Sequence, residues 1–198
     1  MPPQDAYFKL RKVIEDVNAA VEALSGGAHP PLAPEDNSVV FASSELDFAF
    51  TLASFSGIYA DHFAGITPTS LARRLWGDVY FHPDSRAFRR SQPSGGAPRS
   101  FVQFVLEPLY KLVTQTISAS EAELRDTLGV LHVPLRRNEA RLDPKPLLKL
   151  VLSRFFAEAY HGLIDALVAH LPSPVDGARA TLRSRPHLAG EKGWGRRL

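Results

Sequence analysis

The side chains that could carry chemistry are few and scattered. Seven histidines stand at positions 29, 62, 82, 132, 161, 170 and 187. None has the spacing of a metal-ligand pair, such as two histidines four apart around a glutamate. His161 and Asp165 lie four apart, which could orient a base on one helix face. The same spacing also describes an ordinary solvent-facing pair. Asp61 and His62 are adjacent, and adjacent residues do not face each other on a helix. Ser43 and Ser44 lack the context of a nucleophilic triad. There is no cysteine, which excludes thiol chemistry, disulfides and cysteine-ligated zinc or iron–sulfur sites. No glycine-rich phosphate loop, dinucleotide fingerprint, zinc-protease helix or nucleophile elbow occurs in the 198 residues. Arginine pairs at 73–74, 89–90 and 136–137 could touch RNA or protein, but acids in the same segments favour solvated rims.

Charge narrows the partners. The chain carries 23 basic and 21 acidic side chains, a net +2. Six of the basic residues and only two of the acids fall between Asp176 and Leu198. The remainder is slightly acidic overall and is not expected to bind nucleic acid by counterion release. Weak RNA contact is expected only of the tail. No apolar run approaches the roughly 18 residues of a membrane span, so no membrane partner is expected. The opening Met-Pro-Pro-Gln-Asp is neither basic nor apolar, so no secretory leader is expected. With 44% apolar and 22% charged residues, a soluble globular chain is the simplest reading.

The elements that must position these residues are mainly helical. Leu10, Val13, Ile14, Val17, Val21 and Leu24 form a helical stripe, with Asp5 as its expected cap and Ser25-Gly26-Gly27 as its end. Ser38–Ala42 reads as a strand buried on both faces. It has no obvious partner, although its backbone groups need one. Leu52, Phe55, Ile58, Tyr59 and Phe63 restore the helical period. Thr67-Pro68 starts another helix that should run to about Trp76. Val79–Phe81 and Arg86–Arg89 read as a hairpin across His82-Pro83-Asp84-Ser85. A long helix follows from Phe101 to Ile117, with Pro108 expected to kink it. Ser120 and Glu123 form a capping box for a helix that stops at Gly129. Asp143-Pro144 opens the last helical stretch, which runs to Leu171 and is expected to divide at Gly162. Beyond Pro174 no apolar period survives, and residues 176–198 are expected to be a disordered basic tail. The fold class is mixed α/β and mainly helical.

Two stretches are specific enough to carry a resemblance. Leu71-Ala-Arg-Arg-Leu-Trp-Gly-Asp-Val-Tyr-Phe-His-Pro and Arg99-Ser-Phe-Val-Gln-Phe-Val-Leu-Glu-Pro-Leu-Tyr-Lys-Leu resemble the elongation factor 2 class of translational GTPases. Phe48–Phe55 and Leu147–Pro174 fit the same class, so the resemblance spans about residues 2–175. Asp5-Ala-Tyr-Phe-Lys-Leu-Arg, Phe41-Ala-Ser-Ser and Val105-Leu-Glu-Pro-Leu-Tyr-Lys are closer to its spliceosomal branch, the large GTPases of the U-five small nuclear ribonucleoprotein.

The resemblance implies an incomplete, rear part of a P-loop GTPase G domain with a helical insert carrying a β-hairpin. Residues 1–47 would be the rear of the G domain, 48–155 the class-specific insert, and 156–175 the returning G-domain helix. It implies GTP as the family's ligand, spliceosomal proteins of the U-five particle as partners, a role in pre-mRNA splicing and a nuclear location. The phosphate loop, the switch residues and Asn-Lys-x-Asp of such GTPases do not occur in this sequence, so the chain alone is not expected to hydrolyse GTP. Ser43 and Ser44 align with the family's last guanine-contacting loop, at the C-terminal end of a strand, where they would touch the base through backbone N–H and hydroxyl; without its partners the loop is expected to be only a strand-to-helix turn. Two alternatives stay open: a piece of a translation elongation factor, and a protein-interaction module that binds no nucleotide. With its sheet incomplete, Val39–Phe41 would be partly uncovered and the chain prone to aggregate.

Overall fold

A computed structural model of the protein describes residues 1–59 and 67–184. Its elements follow in the order α1 (Pro3–Ser25), β1 (Phe41–Ser43), β2 (Phe48–Phe50), α2 (Leu52–Tyr59), α3 (Pro68–Leu75), β3 (Tyr80–His82), β4 (Ala87–Arg89), α4 (Glu107–Ser118), α5 (Glu121–Val130), α6 (Pro144–Phe155), α7 (His161–His170) and α8 (Pro174–Ser184). Helix dominates, and the strands form two separate two-stranded antiparallel sheets. Among the described residues no helix is long and apolar enough to cross a membrane.

The strand expected to stand alone has a partner just downstream. β1 pairs with β2, with Phe41 opposite Phe50, Ala42 opposite Ala49 and Ser43 opposite Phe48. Phe48, Ala49 and Phe50 are all buried, so β2 shows none of the alternation by which a strand announces itself. The expected burial on both faces does not hold. Phe41 is buried, Ala42 is exposed, and Val39 and Val40 are half-buried. The second hairpin forms as expected, with Phe81 opposite Phe88.

Helix ends follow local chemistry. α1 begins at Pro3, so Asp5 lies in the first turn and is not the cap; an acid there still suits the helix dipole. Gly26 closes α1 at φ 60°, a left-handed conformation that glycine adopts without Cβ strain. The Pro-rich loop that follows is tied back by Asn18. Its Nδ2 donates to Leu32 O at 2.9 Å and its Oδ1 accepts the Leu32 N–H at 2.7 Å. α2 has a reciprocal cap: Ser54 Oγ accepts the Thr51 N–H at 2.9 Å and Thr51 Oγ1 accepts the Ser54 N–H at 3.2 Å. Thr67 caps α3 through the Ser70 N–H, and Ser120 with Glu123 forms the capping box of α5, both as expected. Asp143 precedes α6 without a side-chain capping bond. The expected continuation of α2 to Phe63 lies outside the described residues.

Pro108 acts one turn earlier than a simple kink would. It cannot donate a backbone hydrogen bond. The turn before it, Val102–Leu106, widens to a π-helix in which the Glu107 N–H reaches back five residues to Val102 O. The last helical stretch divides at 156–160, where Glu158–Tyr160 forms a 3-10 turn, and not at Gly162. Gly162 is buried inside α7 against the start of α2. A Cβ there would meet Ser54 Oγ and would lie 2.8 Å from Thr51 Oγ1. The first residues of the tail expected to be disordered, 176–184, lie in the helix Pro174–Ser184. Ser173 Oγ accepts the Asp176 N–H at 3.2 Å, so capping supplies what apolar periodicity does not. Residues 185–198 lie outside the described residues.

The core is an aromatic cluster. Phe156 stacks on Phe50 with centroids 5.0 Å apart and on Phe48 at 4.8 Å. Phe41 joins this group to Trp76 and Phe101, at 5.7 and 5.3 Å. Tyr7 anchors the first turns of α1 on Trp76 at 5.0 Å. Burying rings of this size dominates the stabilisation of such a core.

Candidate functional site

Ser43 ends β1 and Ser44 opens the four-residue turn to β2. The turn therefore joins strand to strand, not strand to helix as expected of the loop without its partners. Ser43 Oγ accepts the Leu46 N–H at 3.2 Å, and Asp47 closes the turn at φ 58°, a conformation that aspartate tolerates better than most residues. Ser44 is exposed. Glu45 reaches across to Lys145 at 2.9 Å, and this ammonium lowers the glutamate's pKa through a hydrogen bond and its charge. Among the described residues no group of three or more histidine, aspartate or glutamate side chains could hold a metal.

Beside this turn lies an apolar cleft of about 310 Å³. One wall is α1, through Leu10, Val13 and Ile14, and the other is Val39–Ala42. Phe50, Phe101, Leu106 and Leu109 also line it. A second apolar pocket of about 240 Å³ opens between Phe48 and α4, lined by Leu46, Tyr110 and Val113. Small-molecule sites place a few convergent polar groups among apolar ones. These linings are almost wholly apolar, so they suit the docking of another apolar surface better than catalysis.

The other candidates are placed apart. His161 and Asp165 are both exposed on α7. Asp61 and His62 lie outside the described residues. His82 Nε2 is 2.8 Å from Ser91 O and His170 Nε2 is 3.1 Å from Asp36 O. Since a carbonyl only accepts, each ring nitrogen donates, and each histidine fastens backbone. The arginine pairs 73–74, 89–90 and 136–137 are all exposed.

Two constellations have no counterpart in the sequence reading. Arg154 grips Glu139 at 2.8 Å through both guanidinium Nη atoms and also bonds Pro134 O. Arg154, and then the Arg136 N–H, hold the Glu139 carboxyl at about 2. Arg99 Nε donates to Asp78 at 2.8 Å, and its guanidinium lies 4.9 Å from the Phe8 ring centroid and 5.4 Å from that of Tyr7. Arg99, assisted by Arg11, lowers the pKa of Asp78. The partners stand 15 and 21 residues apart, beyond any local spacing rule, so no sequence signal pointed to them.

No family model matches the chain. It is 44% identical over 181 residues to the 110 kDa U5 small nuclear ribonucleoprotein component CLO of Arabidopsis thaliana. It is equally similar to the 109 kDa U5 small nuclear ribonucleoprotein component GFL of the same plant. It is 42% identical over 178 residues to the pre-mRNA-splicing factor cwf10 of Schizosaccharomyces pombe. Each match covers 90% of this chain and 18% of the relative. The resemblance to the U-five component read from the sequence therefore holds along nine-tenths of the chain.

Proposed function

We propose, from this homology to one segment of the large U5 components, that the chain serves in pre-mRNA splicing, in the nucleus, as part of a U5-type particle. Residues 1–47 and 156–175 are the rear of a G domain, and residues 48–155 are its insert. GTP belongs to the full-length architecture. This chain alone does not hydrolyse it, and Ser43 and Ser44 form only a remnant of a guanine loop.

The observation that carries this reading is the similarity itself, collinear over 181 residues at 44% identity. The apolar cleft between α1 and Val39–Ala42 supports it. That cleft lies beside β1, which among the described residues pairs with β2 alone. A rear fragment of a larger sheet would leave such a face open. A protein-interaction module without nucleotide is the second reading, and the same cleft favours it.

The test is affinity purification of the tagged chain from cells, with the associated RNA measured. Enrichment of U5 RNA over ribosomal RNA is expected, and the reverse would replace the splicing assignment with translation. Single-turnover assays should show no GTP hydrolysis above a heat-denatured control. Micromolar binding of labelled GDP would reject the module that binds no nucleotide.

A further inference from the structure

The charges of this chain cancel in total but are segregated along it. Residues 67–100 hold six arginines, no lysine and two aspartates. Residues 1–66 hold three basic and nine acidic side chains, and residues 101–175 hold eight of each. An average over the folded part hides this.

Within the arginine-rich segment the structure separates bound from available charge. Arg99 neutralises Asp78, which Arg11 also approaches at 3.7 Å. Arg73, Arg74, Arg86, Arg89 and Arg90 are exposed. Among the described residues none of these five forms an ion pair, and Asp84 is the one acid left to balance them.

The backbone that carries them is braced. Phe81 and Phe88 face each other across the hairpin at 5.2 Å and rest on Phe104 at 5.4 and 5.7 Å. His82 draws the segment after β4 back onto β3 through Ser91 O. Ser100 ties the end of α3 to the hairpin's entry, donating through Oγ to Arg74 O at 2.6 Å and through N to Val79 O at 2.8 Å. The five arginines thus project from one fixed unit, so little ordering entropy remains to be lost on binding.

We infer that this unit, the β3–β4 hairpin with the end of α3, is a contact surface for the phosphate backbone of RNA. Guanidinium forks match phosphate oxygens in pairs, which an ammonium cannot do, and the segment uses arginine exclusively. The choice of RNA over an acidic protein surface rests on the reading above, since the relatives are named as ribonucleoprotein components.

The test is fluorescence anisotropy of a labelled mixed-sequence single-stranded RNA with the full chain, titrated over a range of potassium chloride. R86A/R89A/R90A should reduce the slope of log affinity against log salt by about 2, or about 0.7 for each lost phosphate contact, and weaken binding by on the order of tenfold. K111A/R137A/K149A, which removes the same charge elsewhere, should change affinity by no more than about twofold. Equal losses in both variants would overturn the inference. So would complete loss on deleting residues 185–198 alone, which would assign binding to the tail. Competition by polyglutamate as strong as by unlabelled RNA would reassign the surface to an acidic protein. If the chain co-purifies with U5 RNA while the hairpin variant binds RNA normally, the inference falls and the splicing reading stands. If it co-purifies with ribosomes, the splicing reading falls while the hairpin's RNA affinity stays measurable.

Discussion

The middle of the chain and its two ends are built to different standards of closure. Among the described residues of 48–155, four large apolar side chains are exposed: Ile117, Val130, Leu131 and Leu142. Residues 1–47 and 156–175 are far fewer, yet they expose eleven. On α1, Val13 is 60% exposed and Leu24 89%; on α7, Val168 is 77% exposed. Scattered exposed apolar residues are ordinary. Here they recur at helical spacing on elements whose other residues reach the core, the pattern of a face with a missing neighbour. The middle segment leaves few large apolar side chains uncovered, whereas the helices at the two ends reach the core with one face and leave apolar residues exposed on another.

Substitutions at the closed core and on the uncovered faces should separate cleanly. Phe156→Ala removes a fully buried ring that stacks on both Phe48 and Phe50, and a loss of roughly 3–5 kcal/mol is expected in denaturant titration. A loss below about 1 kcal/mol would mean that this centre is loosely packed.

Gly162→Ala comes next. The new methyl would press on the Thr51–Ser54 cap, with an expected cost of about 1–3 kcal/mol and a lower melting midpoint. An unchanged midpoint would mean that α7 is free to move off α2.

Acid should loosen the loop bound by Arg154. The Glu139 carboxyl titrates at about 2 in the folded chain, below its ordinary value of 4.5. The unfolded chain therefore takes up this proton first. The stabilisation is complete above about pH 4.5 and is lost as pH falls from there towards about 2. Thermal midpoints of the parent and of Glu139→Gln should converge over that window. A gap that stays constant would show that the Arg154 contact contributes nothing.

The smallest effect is expected outside. Val168→Ser with Leu171→Ser should change unfolding free energy by no more than about 0.5 kcal/mol per site. The pair should nonetheless reduce self-association in sedimentation velocity, because exposed apolar faces are what the isolated chain has to aggregate through. A sharp two-state transition in a strictly monomeric parent would remove the contrast between ends and middle.

Local rules carried the sequence reading where structure is local. The caps at Thr67 and Ser120, the glycine end of α1 and the hairpin at residues 80–89 all follow from neighbours within a few residues. The reading failed where burial overrides pattern. β2 is buried throughout and carries no period, so nothing in the sequence pattern marks it as the partner of β1. α8 has no apolar period but does have a serine cap. The grips of Arg99 and Arg154 depend on contacts that only the tertiary fold creates. At the serine turn the residues were legible, but the hairpin that shapes it was not. The arginine surface was visible all along, spread thin by averaging charge over the whole folded part.

The wide turn ahead of Pro108 has a consequence for how this chain tolerates length changes. A helix advances about 100° per residue, and a π turn accommodates one residue that a regular helix would have no room for. Val102, Val105 and Leu106 within it and Leu112 and Thr116 beyond it are all buried, so the wide turn absorbs the surplus residue and keeps both halves facing the core. Excising a single position between Val102 and Leu106 would restore ideal winding and leave the buried side of α4 facing the core. Shortening the segment by one here is therefore better tolerated than shortening α4 itself, where the loss of one residue would rotate everything after it by about 100°.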